Sequence, residues 1–346
     1  MTLGSTSLTP NKKAFSQPFE EAQLSQTSMS TSEICRRSEI AGIGFGVVSC
    51  QQIKTGSLIM SEKPLVTVPA NFSQRSFLTQ LQRLDREGRE SFFALRNTFT
   101  KFQPIEGIVK TNAIPLGKGS ATGAICPNCS RFNHSCTANA AYHWNEDAGE
   151  EKVFAVKDID LGDEITVTYV PDEVWTLPSK ERKEQIARMF GFDCLCTRCA
   201  CEDQMERTKS DKRRTRIAEI DKNVGDGVLI MTNPSKALLL CREALSLLQE
   251  EEESTPRFEV VLYDAFQICV AHGDLARASR FAELTAEAKE AWQGNDATGL
   301  AEMRAYIRRP QSHRLASQTQ RWRTKAVGLT KPAYWTSSDW LWRRAG

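Results

Sequence analysis

Four cysteines within eight residues, Cys194-Leu-Cys196-Thr-Arg-Cys199-Ala-Cys201, restrict this chain more than any other stretch. Packing alone seldom gathers thiols so densely, whereas the close spacing of three suits a tetrahedral zinc site with sulfur ligands. Cys194, Cys196 and Cys199 readily supply three ligands. The fourth is either the adjacent Cys201 or a cysteine from elsewhere. Cys136 is the attractive candidate, because it lies in residues 130–139, Ser-Arg-Phe-Asn-His-Ser-Cys-Thr-Ala-Asn, where amide, imidazole and thiol groups crowd together. Zinc shared in this way would staple two distant stretches into one pocket and be structural. Cys126 and Cys129 share a Cys-x2-Cys spacing but face no second unassigned pair, so they read as ordinary buried thiols.

Eleven cysteines in a chain of 346 residues suit a reducing, intracellular compartment in which clustered thiols hold metal rather than disulfides. No apolar run approaches the roughly 18 to 20 residues of a membrane span, and the N-terminus has no signal-peptide core, so no membrane contact is expected. The net charge of +2 gives no argument for direct nucleic-acid binding. The length predicts two globular parts, and 40% hydrophobic content is ample for a core.

Along the chain, residues 1–32 are rich in Ser, Thr and Gln and predict a flexible leader. From residue 33 short β-like runs alternate with Gly-bearing turns, among them Gly44-Phe45-Gly46, where a backbone could approach a ligand closely. Residues 72–102 carry apolar residues at helical spacing and predict a helical insertion. Residues 108–116 predict a return to extended chain, carrying Asn112. Strands are expected at 140–144 and 153–156 around an acidic turn, and the β-branched 165–170 run ends near Tyr169. A helix follows Pro178 over residues 179–190. The basic run 209–216 predicts a linker or exposed helical surface. Helices then dominate: Asn233-Pro234 opens one, another covers 259–271, and Asp274 caps a third after the stop at Gly273. Residues 306–346 form a basic tail with Trp322, Trp335, Trp340 and Trp342, expected to be disordered or to touch an acidic partner.

Four separated stretches, Gly44-Phe45-Gly46, residues 131–136, Gly162-Asp163-Glu164-Ile165 through Tyr169, and Phe192-Asp193-Cys194-Leu-Cys196 through Cys199, are similar in order and content to SET-domain protein methyltransferases. The split by a helical insertion, Thr111-Asn112-Ala113 and the helical C-terminal part resemble the SET-and-MYND branch most closely. The resemblance implies an α+β fold: a β-rich SET core over 33–171 with the insertion at 72–102, a post-SET helix and zinc segment over 172–201, and an α-helical, tetratricopeptide-like domain over 202–305. It also implies that the Asn133-His134 loop and the Tyr169 segment make a knot-like arrangement.

The implied activity is protein-lysine N-methylation with S-adenosyl-L-methionine as donor, on a histone or another protein with a target lysine, in nucleus or cytoplasm. Residue by residue, Gly44, Phe45 and Gly46 would approach the cofactor with their backbone. Asn112, Asn133 and His134 would hydrogen-bond it, and Phe192 would lie against the adenine. Tyr169 would be the catalytic tyrosine, while Cys136, Cys194, Cys196 and Cys199 would bind one structural Zn2+, leaving Cys201 outside. The rival reading is a noncatalytic SET-fold scaffold that binds a protein partner on its C-terminal helices. Three departures stand out. The insertion holds no cysteine, so no MYND zinc module is present there; Ala138 replaces a usual proline; and Phe190 stands where relatives commonly place a second channel tyrosine.

Overall fold

The computed structural model describes residues 34–117, 119–253, 255–324 and 338–342. The leader expected at 1–32 lies outside them. The first half folds into three small sheets. Strands β1 (Cys35–Ile40), β2 (Gly44–Ser49), β7 (Asn133–His134) and β10 (Glu164–Val167) form one, in the order β1-β2-β10-β7. A second joins β3 (Leu58–Glu62), β9 (Glu150–Ala155) and β8 (Ala140–Asn145), and a third joins β4 (Val66–Val68), β6 (Gly123–Ile125) and β5 (Ile114–Pro115). Alternation explains β10: Ile165 and Val167 face inward and are wholly buried, while Glu164 and Thr166 face the site. β10 runs antiparallel to β2 but parallel to β7, with Thr166 opposite Asn133 and Val167 opposite His134. A parallel pair cannot be closed by a tight turn, so the chain makes the β8–β9 hairpin between its two members.

The insertion begins with α1 (Gln74–Arg83) and α2 (Arg86–Phe93), the latter capped by Asp85, which accepts from the Gly88 N–H at 2.7 Å. Phe77, Leu81 and Phe92 bury their rings and branches together, Phe77 lying 5.7 Å from Phe92. Residues 108–116 depart from expectation. Pro104 opens α3 (Pro104–Asn112), and only Ile114–Pro115 is extended. Ile105, Ile108 and Val109 have weak helix propensity, yet their spacing lets all three pack on Phe77 and Phe92, and burial decides.

The second half is helical. A short α4 (Asp172–Trp175) precedes α5 (Ser179–Phe190), which Gly191 ends in left-handed geometry. Then come α6 (Gln204–Gly225), α7 (Val228–Thr232), α8 (Pro234–Glu250), α9 (Thr255–Ala271), α10 (Leu275–Gln293) and α11 (Leu300–Arg308). The expected caps are in place: Asn233 accepts from Lys236 N–H and Asp274 from Arg277 N–H. The basic run 209–216 is neither linker nor merely exposed surface. It lies inside α6, with Ser210 and Arg214 buried and both bonded to Glu251, and with Arg214 also reaching the Cys136 carbonyl in the first half.

The tail also differs from expectation over its described part. Residues 317–324 lie along the α9–α10 turn, with Ser317, Thr319, Trp322 and Thr324 donating backbone N–H groups to Val270, Ala271, His272 and Gly273. Trp322 is buried there, and Trp342 in α12 (Ser338–Trp342) packs 5.0 Å from Phe281. Trp335 lies outside the described residues. At the other end of α10, Asp296 accepts from Asn145 at 2.8 Å and from Lys152, fastening the helices to the β8–β9 hairpin.

Candidate active site and thiol cluster

Cys136, Cys194, Cys196 and Cys199 converge. Their sulfurs lie within 4.8 Å of one another, with Cys136 4.0 Å from Cys194 and 3.6 Å from Cys199. A tetrahedral ion with sulfurs at about 2.3 Å has sulfur–sulfur edges of about 3.8 Å, so the donor set fits one zinc-sized cation. Hydrogen bonding to Cys136 pushes the Cys194 thiol up and holds Cys196 far below the ordinary range. Cys201 instead lies 3.8 Å from the Asp203 carbonyl, outside the group. Cys126 and Cys129 are both fully buried, and Cys129 lies 3.9 Å from the Glu151 carbonyl.

His134 joins this cluster to the aromatic wall. Its Nδ1 accepts from the Tyr169 backbone N–H at 3.0 Å and its Nε2 lies 3.4 Å from Cys136 Sγ. An accepting Nδ1 leaves the proton on Nε2, which then points at the sulfur. Burial above all holds this ring at about 4, against a pull from Cys196 and with Arg182 and Arg214 adding to the effect, so it stays neutral. Both ring nitrogens are therefore engaged inside the protein. The backbone faces outward: Ser135 N–H bonds Val167 O at 2.9 Å, so strand alternation turns the N–H and C=O of His134 to the open edge of β7.

Asn133 projects the other way. Its Nδ2 donates to Glu164 Oε1 at 2.7 Å and to Phe45 O at 3.2 Å, which ties β7 to β10 and to the Gly44-Phe45-Gly46 strand. Only glycine fits at 46, since a Cβ there would stand 2.5 Å from Glu164 Oε1 and 2.6 Å from Asn133 Nδ2. Gly44 has φ +109 and faces Arg96 Nη1, and that same nitrogen donates to Ile43 O at 3.2 Å. Asn112 is buried at the end of α3, and its Nδ2 donates to Arg96 O and Ile108 O, both at 2.7 Å.

Around His134 stand Tyr169, Phe190 and Phe192, with ring centroids 5.3 Å from His134 to Tyr169, 6.1 Å from His134 to Phe192 and 5.4 Å from Tyr169 to Phe190. All three are half-buried. The Tyr169 hydroxyl donates to Phe132 O, and burial, helped by Glu164, raises it well above the ordinary phenol range. Its proton is fixed and its oxygen is left as an acceptor.

Residues 44–170 match the SET domain. Over 285 residues the chain is 30% identical to Histone-lysine N-methyltransferase set5 of Schizosaccharomyces pombe, covering 82% of this chain and 86% of that protein. The chain belongs to the SET-domain family of protein-lysine methyltransferases. It is also 37% identical over 79 residues to human Histone-lysine N-methyltransferase SMYD3, covering 22% of this chain and 17% of that one. N-lysine methyltransferase SMYD2-B of Danio rerio is 27% identical over 174 residues, covering 46% of this chain and 39% of its own.

SET methyltransferases use S-adenosylmethionine, and the groups assembled in this SET-domain chain suit a zwitterionic nucleoside. There is an open backbone edge at His134, a half-buried aromatic wall and a glycine approach beside a guanidinium. Several contributors were not singled out from the sequence. Glu164 orients Asn133, Arg96 reaches Gly44 from the insertion, and Arg182, Arg214 and Trp175 enclose the thiols. Glu164 stood in a recognised motif; the others carry no local signal. No helix among the described residues is long and apolar enough to cross a membrane.

Proposed function

We propose that the chain methylates histone lysines, with S-adenosylmethionine seated between the Gly44-Phe45-Gly46 strand, the open edge of β7 and the Tyr169–Phe192 wall. One observation carries the reading. At His134 the ring couples the backbone of Tyr169 to Cys136, while the residue's own peptide groups turn to the open edge of the sheet. The histone assignment rests on the likeness to set5 over most of both chains.

In this reading the His134 backbone takes the adenine edge and Phe192 lies against its face. Asn133 and the backbone at 44–46 meet the amino-acid end, where Arg96 offers a cation to the carboxylate. Asn112 contributes through its hold on the Arg96 carbonyl. S-adenosylmethionine supplies a methyl group made electrophilic by its sulfonium. The chain's own task is alignment of a neutral amine. Lysine ordinarily titrates at about 10.4, and the apolar rings of Phe190 and Phe192 disfavour the ammonium, so the proton leaves to water first. Tyr169, with its hydrogen committed to Phe132, presents an acceptor to the amine and to the methyl hydrogens. Cys136, Cys194, Cys196 and Cys199 hold one zinc ion, which fixes the loop that carries Asn133 and His134.

The test is methyl transfer from tritiated S-adenosylmethionine to core histones, run on nuclear and cytoplasmic protein in parallel. Labelled histone is expected, and Tyr169→Phe should lose most turnover while S-adenosylhomocysteine binding stays unchanged. Unlabelled histone alongside a labelled cytoplasmic protein would remove the histone assignment. Wild-type turnover in Tyr169→Phe would remove the tyrosine's role.

A further inference from the structure

Two guanidinium groups are sealed in the interior beside the thiol cluster, and only one has a carboxylate. Arg182, on α5, is 0% exposed. Its Nη1 donates to Leu177 O at 2.6 Å, its Nη2 points at Cys199 Sγ from 3.8 Å, and its Nε has no partner. No carboxylate pairs with it among the described residues. Arg214, on α6, is also 0% exposed. Its Nη2 donates to the carbonyl of Cys136 at 3.2 Å and its Nη1 to Trp175 O, while its Nε meets Glu251 Oε2 at 2.7 Å. Glu251 is shared with Arg213, whose Nε lies 2.6 Å away.

A lone buried cation is among the costlier things a fold can hold, so a charge of opposite sign has to be near. Four neutral thiols do not supply one. Four thiolates around a divalent zinc do, leaving two net negative charges on the cluster. We propose that Arg182 and Arg214 are the counter-charges of that centre. Their charges face the cluster from Cys199 Sγ and from the Cys136 carbonyl, and through Arg214 the helix α6 becomes part of the metal site. This rests on the zinc reading above. The two arginines are positioning residues: neither touches cofactor or substrate, and each acts through the sulfur it faces or the carbonyl it holds.

The experiment uses the full chain. Zinc content of the wild type is measured first by elemental analysis; a protein without stoichiometric zinc overturns the underlying site assignment. Zinc affinity is then read by competition with a chromophoric chelator for Arg182→Met, Arg182→Gln and Arg182→Lys. Loss of a partner beyond the ligands typically weakens a metal site about 10- to 100-fold. That loss is expected for Met and for Gln, which keeps a donor for Cys199 but no charge, with Lys recovering most of it. Substitution by Co2+ adds a readout that looser packing would not move. The thiolate-to-cobalt charge-transfer band should shift in the two neutral variants and return in Arg182→Lys. Glu251→Gln supplies the opposite sign, because it removes negative charge while leaving Arg214, and it should hold zinc at least as tightly as wild type. The proposal is overturned if Arg182→Gln binds zinc within twofold of a zinc-loaded wild type with an unmoved cobalt band. A loss of zinc in Glu251→Gln as large as that in Arg182→Gln overturns it equally, since packing alone would then explain both.

Discussion

Replacing Gly46 by alanine strikes at the contact that holds Asn133, a residue proposed above to meet the cofactor. A Cβ there would lie 2.5 Å from Glu164 Oε1, 2.6 Å from Asn133 Nδ2 and 2.9 Å from Ile40 Cγ1. Carbon stays beyond about 3.5 Å from such atoms, so the methyl intrudes by roughly an ångström on two groups that are themselves bonded at 2.7 Å. The strand cannot retreat, because Gly46 is paired with Ser38 and its neighbour Val47 with Ile165. Asn133 has to swing away. That forfeits a hydrogen bond to a charged carboxylate, worth about 1.5 to 3 kcal/mol, and one to the Phe45 carbonyl, worth about 0.5 to 1.5. If ligand binding has to restore even 2 kcal/mol of this, S-adenosylhomocysteine affinity falls about 30-fold. Isothermal titration calorimetry of Gly46→Ala against wild type reads the change, with circular dichroism as the control for folding. An affinity within threefold of wild type, in a protein that melts where wild type does, would refute the claim that Asn133 is held for the cofactor.

Arg96→Ala is expected to weaken S-adenosylhomocysteine binding at least tenfold but to leave 5′-methylthioadenosine, which lacks the amino-acid end, unaffected; equal losses for both would make Arg96 structural. Phe190→Tyr places a hydroxyl beside Tyr169, 5.4 Å away ring to ring, and should change turnover and the number of methyl groups seen by mass spectrometry; an unchanged product distribution would show that the missing hydroxyl is irrelevant. Glu151 is buried, its Oε2 has no partner, and desolvation lifts its carboxyl from 4.5 to about 8. The folded state therefore binds this proton more tightly than the unfolded chain. Its stabilising contribution is complete below about pH 4.5 and declines as pH rises toward 8, by at most about 5 kcal/mol. Glu151→Gln should accordingly gain on wild type in urea unfolding between pH 5.5 and pH 8, and a gap independent of pH would contradict that assignment.

What could be read in advance was what the local chemistry determines. Cysteine spacing pointed to the thiol cluster, Pro178 announced the start of α5, and Asn233 and Asp274 announced their helices as caps. What could not be read depends on which side of an element is covered. Within residues 209–216 nothing distinguishes Arg214 from its exposed neighbours until α6 is laid against Glu251, a partner remote in sequence. The α3 segment misled because β-branched residues prefer strands, and only the aromatic pocket made by Phe77 and Phe92 rewards their helical spacing. The tail looked disordered by composition, yet its described part finds hydrogen-bond acceptors in the α9–α10 turn. Asn133 was named for its amide, but which carboxylate would orient it became visible only when β10 was threaded beside β7.

The parallel pairing of β7 with β10, and the bonds that run from Cys136 through Arg214 to Glu251, also set a timetable for synthesis. A ribosome delivers the asparagine and histidine of the pocket early, yet their supporting strand, sulfurs and guanidinium emerge only much later. Until Glu251 clears the exit tunnel the nascent chain carries a half-walled cleft and thiols that lack their buried surroundings. Its passage through the cell's folding machinery is therefore the stage at which oxidation of those sulfurs would do it most harm.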